Sequence, residues 1–318
     1  MKHWIKISIL SILTVLVAVI VYFSFYMLSF SLDADNDRVA KIHKVYERVI
    51  KENPELKPWI DSLNRCQALR DTFIIMKNGE RQHATFIYGW RHTGNTAILI
   101  HGYKDCNIRM FPIAHIYERM GYNVLLPDLH AHGRSDGNDI QMGWKDRLDV
   151  MRWMAVADSM FRDSTGTSRQ VVHGISMGAA TTMCISGENT PAYVRCFVED
   201  CGYTSVWDEF HYEVGQMFGL SDFPLMYTTS LLCKLRYGWT FGEASPLSQV
   251  KKCHQPMLFI HGDKDDFVPS WMVHPLYAAK PQPKELYISK GSAHAHSYND
   301  HKAEYTARVT RFVSHYIR

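Results

Sequence analysis

The chain has 318 residues, 46% of them hydrophobic and 21% charged, a balance that supports a buried core and excludes a disordered or collagen-like chain. Its formal charge is +3, to which Lys2 and Lys6 contribute two, and the remainder of about +1 is far from the basic footprint of a nucleic-acid binder. DNA and RNA are thereby excluded as partners, while the length allows either two domains or one large α/β domain.

The first element in chain order is apolar. From Ile7 to Phe30 no residue is charged, and at a helical rise of about 1.5 Å per residue this run covers about 36 Å, enough to cross a bilayer core. A signal peptide is the rival reading, but its apolar region runs only about 7 to 15 residues before a small-x-small cleavage site. Here Ser29-Phe30-Ser31 is a weak cleavage site, and the first cysteine is Cys66, so no lipid-accepting cysteine follows the run. The sequence therefore predicts an uncleaved single-pass anchor over residues 1–32. Lys2, His3 and Lys6 precede it, and Asp33, Asp35 and Asp37 follow. By the positive-inside rule the N-terminus lies in the cytoplasm and the rest of the chain is extracytoplasmic, although Arg38, Lys41 and Lys44 soften the asymmetry.

Residues 33–70 read as a helical stem: Val39, Ile42, Tyr46 and Val49 recur at helical spacing, with breaks expected at Pro54 and Pro58. Two β-rich runs, Phe73–Met76 and Ala84–Tyr88, flank Asn78-Gly79, a hairpin signal. From there, over residues 71–318, short apolar strand candidates alternate with helical stretches. The strands are Ala97–Ile100, Val124–Leu126, Val171–Val172, Cys196–Val198, Met257–Ile260 and Leu286–Ile288. The helices are Phe111–Met120, Lys145–Met160, Met177–Ser186, Trp271–Ala279 and Tyr298–Ile317. This alternation predicts an α/β fold with a mostly parallel sheet and helices on both faces. The interval 206–242 breaks the rhythm: it has no clear strand and carries aromatics from Trp207 through Phe218, Phe223 and Tyr227 to Phe241. A long insertion of this kind reads as a helical lid or binding segment. The seven cysteines have no CxxC spacing, which points to neither a zinc ribbon nor a thioredoxin-like site.

Gly174-Ile175-Ser176-Met177-Gly178 follows a strand and opens a helix. A serine displayed on a sharp strand-to-helix turn needs small neighbours so that the backbone can bend, and the turn aims the amide of Met177 at any oxyanion formed beside Ser176. A serine at its free pKa is a poor nucleophile, so it needs a base and an acid to orient that base. Acids follow one late strand, at Asp263, Asp265 and Asp266, and histidines follow the next, at His294 and His296. Both groups sit at carboxyl ends of strands, the edge where open parallel sheets bind ligands. His130-Ala131-His132 and His294-Ala295-His296 invite a metal reading, but a serine served by a base and an acid needs neither a metal nor an organic cofactor, and none is expected.

Taken together, these residues resemble the α/β-hydrolase superfamily, and within it bacterial esterases and serine-aminopeptidase-like hydrolases. The resemblance covers nearly everything after residue 70 and rests on six segments: His101-Gly102-Tyr103, Asp128 to Ser135, the elbow around Ser176, Glu199 to Tyr203, His261 to Pro269 and Gly291 to Ser297. It implies Ser176 as nucleophile, Asp265 as the acid rather than Asp263 or Asp266, and His294 as the base rather than His296 or His301. It also places the second oxyanion donor at the amide of Tyr103, facing that of Met177. The expected function is cleavage of a small, lipophilic acyl substrate, a carboxylic ester, through an acyl-enzyme. A serine peptidase, a thioesterase and a non-enzymatic binding protein on the same scaffold are the alternatives.

Overall fold

The structure is a computed structural model and describes residues 2–91, 93–219 and 221–317; the side chains of Lys2, His3 and Phe218, invoked above, lie outside the described residues. The chain divides into two compact units, one of residues 34–204 and 245–318 and the other of residues 1–33 and 205–244.

The larger unit is built on an eight-stranded sheet of order β1-β2-β4-β3-β5-β6-β7-β8. β1 (Leu69–Ile75) and β2 (Arg81–Ile87) form the hairpin expected around Asn78-Gly79, which Met76 closes by donating its amide to Glu80 O at 2.8 Å. β2 pairs antiparallel with β4 (Asn123–Pro127). β3 (Asn95–Ile100), β5 (Arg169–Ile175), β6 (Val194–Asp200), β7 (Met257–Gly262) and β8 (Lys284–Ser289) then run parallel, in register from Ile98↔Val172 to Ile260↔Tyr287. The cores of β3, β5, β6 and β7 are buried on both faces, as continuous apolar runs such as Ala97-Ile98-Leu99-Ile100 require, while the edge strand β8 leaves Ile288 exposed. β3 lies between β4 and β5, so the strand order reverses there, and the crevice at the carboxyl ends of β3 and β5 is where such sheets place ligands.

Before the sheet come α1 (Lys2–Leu32), α2 (Arg38–Glu52) and α3 (Leu56–Arg65). The break at Pro54 occurs, but Pro58 lies inside α3. It occupies the first turn, where the missing amide has no helical acceptor to lose. Val49 of α2 and Leu56, Ile60 and Leu63 of α3 belong to the same buried cluster as Leu99, Val124 and Phe312. The stem is therefore part of the core. The remaining helices of this unit are α4 (Phe111–Arg119), α5 (Asp146–Phe161) and α6 (Met177–Ser186), then α9 (Pro246–Val250), α10 (Val273–Ala279), α11 (Ser297–Asp300) and α12 (Lys302–Tyr316). His301 separates the last two within the stretch read as one helix.

In the smaller unit α1 accompanies α7 (Val206–Phe218) and α8 (Leu225–Tyr237) of the insertion. Ser205 caps α7 by accepting from Asp208 N. Trp239 and Phe241 are buried, whereas Phe223 and Tyr227 are exposed. Over Trp4–Leu32 α1 is long and apolar enough to cross a membrane, with a mean hydropathy of 2.6.

Candidate active site

Four strand ends build the site. β5 ends at the elbow, where Ser176 has φ 58° and ψ −121° and becomes the N-cap of α6. The sharp turn depends on its glycines: a Cβ on Gly178 would stand 2.1 Å from Ile100 O, and one on Gly174 2.0 Å from Gly178 O. The two glycines let the helix start directly against β3. Ser176 N donates to Asp200 O at 2.8 Å, tying the elbow to the end of β6.

The loop after β8 carries His294 and the loop after β7 carries Asp265. His294 Nε2 accepts from Ser176 Oγ at 2.8 Å, and His294 Nδ1 donates to Asp265 Oδ2 at 2.8 Å. Asp265 Oδ1 accepts from Val268 N at 2.9 Å and Phe267 N at 3.1 Å, which fixes its plane. Burial raises the Asp265 carboxyl, but hydrogen bonds from His261 and His294 outweigh it and hold the group below its ordinary value. The neighbouring acids are placed elsewhere: Asp263 accepts from Gly291 N, and Asp266 is exposed. His296 is exposed, and His301 donates to Lys290 O. A serine hydroxyl bonded to an imidazole that is itself held by a carboxylate can pass its proton to that imidazole on attack.

The loop after β3 is pinned by histidines. His101 donates to Gly102 O at 2.8 Å and accepts from Leu129 N at 3.0 Å. His132 accepts from Lys104 N at 3.1 Å and donates to His130 O at 2.7 Å, so backbone groups take both its ring nitrogens; burial pushes its pKa down to about 3. These bonds hold Tyr103 beside Ser176 on one cavity wall, with Gly102 close enough that a Cβ there would meet Ser176 Cβ at 3.4 Å. The amide of Met177 belongs to the first turn of α6, whose N-terminal potential favours an anion. Among the described residues, Cys201, Asp265 and His294 bring possible metal-ligating atoms within 4.8 Å of one another. Two of the three already bind each other, and burial keeps the Cys201 thiol protonated.

Ser176 and His294 open into a cavity of about 320 Å³. Met110, Pro112, Ile113, Ile175, Phe267 and Tyr298 give it an apolar lining, and Glu52, Asp105 and Arg109 a charged one. Arg109 donates to Glu52 Oε2 at 2.7 Å. Sequence reasoning missed Glu52, which lies at the last residue of the stem helix α2, far along the chain from any motif. Glu199 and Asp200, by contrast, are fully buried at the end of β6, outside the cavity lining. Tyr305 Oη donates to Asp200 Oδ2 at 3.0 Å, and Gly202 N donates to Glu199 Oε2 at 3.1 Å.

Burial pushes Glu199 up to about 8 from an ordinary 4.5, so the fold keeps this carboxyl protonated where the unfolded chain has released its proton. The contribution to stability is whole below pH 4.5 and is lost as pH rises to about 8, at up to about 1.4 kcal/mol per unit. Across that window the melting midpoint of the wild type is expected to fall relative to that of Glu199→Gln, which has no proton to lose. Parallel melting curves for the two would show Glu199 ionised in the fold.

The sequence profile of the prolyl oligopeptidase family matches residues 111–318. Uncharacterized protein YqkD of Bacillus subtilis is 30% identical over 222 residues, 70% of this chain and 72% of YqkD. The alpha/beta hydrolase domain-containing protein WAV2 of Arabidopsis thaliana is 25% identical over 65% of each chain. The esterase Pf2001 of Pyrococcus furiosus superposes with a TM-score of 0.62 at 22% identity, covering 79% of this chain and 93% of the esterase. The acylaminoacyl peptidase of Pyrococcus horikoshii does so with a TM-score of 0.59 at 17% identity, covering 78% of this chain and 41% of the peptidase. Likenesses to solved structures at such identities speak for the fold alone. The family profile spans more than half of the chain and covers the elbow at Ser176 and the strand-terminal loops that carry Asp265 and His294, so the chain, a serine hydrolase of α/β-hydrolase fold, belongs to the prolyl oligopeptidase family.

Proposed function

We propose that the protein is a membrane-anchored enzyme that cleaves carboxylic esters of small lipophilic acids, with Ser176, His294 and Asp265 as its triad and the amides of Tyr103 and Met177 as its oxyanion hole. The observation that carries this reading is the chain of two 2.8 Å hydrogen bonds from Ser176 Oγ through His294 to Asp265. Ser176 Oγ attacks the carbonyl carbon while His294 Nε2 takes its proton. The imidazolium, held by Asp265, then protonates the departing alkoxide. Water, deprotonated by the same imidazole, releases the acid and restores Ser176. The largely apolar cavity lining supports an acyl group of low polarity. α1 supplies the anchor, and the charges flanking it favour a catalytic unit on the extracytoplasmic side. A peptidase is the second reading, favoured by Glu52 and Asp105 in the cavity wall, whose carboxylates suit a substrate ammonium.

Matched panels separate the two. p-Nitrophenyl esters of rising acyl length are expected to be turned over with higher kcat/KM than aminoacyl p-nitroanilides. The reverse order would overturn the ester assignment while leaving the triad standing.

A further inference from the structure

The insertion is fastened to the apolar N-terminal helix at one definite level. Ser24 Oγ of α1 and Thr228 Oγ1 of α8 lie 2.6 Å apart, and Ser24 is buried. On its C-terminal side, Leu28 and Leu32 are completely covered. On its N-terminal side the apolar side chains from Trp4 to Phe23, Leu10, Leu16 and Val17 among them, are exposed apart from a half-buried Ile20, whereas beyond Ser24 the exposed Phe25, Tyr26 and Phe30 alternate with covered residues. The segment exposed almost all round is 20 residues long, about 30 Å at about 1.5 Å per residue, the thickness of a bilayer core. Tyr22 and Tyr26 flank Ser24 and are 66% and 49% exposed, the position of an interfacial aromatic belt. The Ser24–Thr228 bond therefore holds α8 level with the boundary between hydrocarbon and headgroups.

α8 meets that level with an apolar stripe. Phe223, just before the helix, and Tyr227, Leu231 and Leu235 along it follow one another at intervals of four residues, and their exposures are 76, 56, 59 and 76%. Spacing of four puts successive side chains on neighbouring turns of one face. Lys234 and Arg236 are exposed toward the C-terminal end of the same helix; Lys234 donates to Glu243, and the long stem of Arg236 can follow apolar surface while its charge reaches headgroups. A patch of this kind beside a helix that is itself apolar on all sides is continuous with the lipid-facing surface.

We infer that the α8 stripe is inserted in the outer boundary of the bilayer that α1 crosses, so that the insertion is a second, monotopic membrane contact. The occupant of the stripe is lipid, at the depth where acyl chains meet headgroups. This inference rests on the anchor reading given above.

The test uses the full chain, with Cys66→Ser removing the one exposed thiol, in phosphatidylcholine–phosphatidylglycerol liposomes. Single cysteines introduced as Val15→Cys, Leu231→Cys, Leu235→Cys and Asn78→Cys carry a polarity-sensitive fluorophore. Brominated acyl chains are expected to quench the labels at 15, 231 and 235 about twofold or more, and aqueous iodide to quench only the label at the hairpin tip, position 78. If the label at 15 is quenched by lipid while those at 231 and 235 behave like that at 78, the inference fails and the anchor stands. A label at 15 untouched by brominated lipid removes the anchor itself. Labels at 231 and 235 shielded from both quenchers, with energy transfer between differently labelled copies, would assign the stripe to a second copy of the chain and overturn the lipid assignment.

Discussion

Replacing Ser176 with alanine is expected to lower ester turnover by about 10⁴-fold or more and to abolish labelling by a fluorophosphonate probe, because in the proposed mechanism the Ser176 hydroxyl forms the acyl-enzyme. The fold should tolerate the change. Ser176 accepts no side-chain cap bond at α6, and its amide, which donates to Asp200 O, is retained in alanine. The strained φ of 58° is a cost that alanine shares. What the substitution removes is the donor to His294 Nε2. Any turnover that remains is expected to come from the proposed oxyanion amides and from substrate binding, which do not depend on the hydroxyl. Labelling that survives in Ser176→Ala would assign the nucleophile elsewhere in the chain.

The second large effect is expected at Asp265. Asp265→Asn should reduce kcat by about 10⁴-fold while the fold is retained. An amide can keep accepting from Val268 N and Phe267 N through its oxygen. It then presents NH₂ to His294 Nδ1, which must become an acceptor, so the ring carries its proton on Nε2 and has no lone pair for the serine. Asp263→Asn and Asp266→Asn leave that tautomer untouched and are expected to stay within a few-fold of wild type. An equal loss at Asp266 would show that an exposed carboxylate, and not the buried one, orients the base. Steady-state kinetics on the three variants with one p-nitrophenyl ester decides the matter.

Both experiments concern residues whose types and spacing are visible along the chain, and the reasons differ from one to the next. The elbow is legible because its requirements are local: two glycines, a strand before and a helix after it. The hairpin at Asn78-Gly79 and the parallel strands are legible for the same reason, since turn chemistry and apolar runs act over a few residues. Pro58 was misread because a proline breaks a helix only beyond its first turn, and the start of α3 at Leu56 depends on how Leu56, Ile60 and Leu63 pack into the core. Of the acids after β7, residue types alone left three open, and the resemblance to known hydrolases singled out Asp265. The physical distinction among them is that Asp265 is buried with two amides and two histidines facing it, a property of the folded loop.

The class of chemistry and the elements that present it are legible along the chain, because strand periodicity and turn residues act over a few consecutive positions and the serine, acid and histidine follow in order at strand ends. So is a helix near the first residues that is apolar enough to cross a membrane. That the stem helices complete the core, that Glu52 and Asp105 stand in the cavity wall, and that Glu199 lies where burial keeps its proton is visible in the folded chain alone. The same holds for Thr228 against Ser24. Each of these follows from contacts between segments far apart in the chain, and desolvation, which sets the protonation of a carboxyl and the polarity of a cavity, is a property of what surrounds a group in space rather than of its neighbours in sequence.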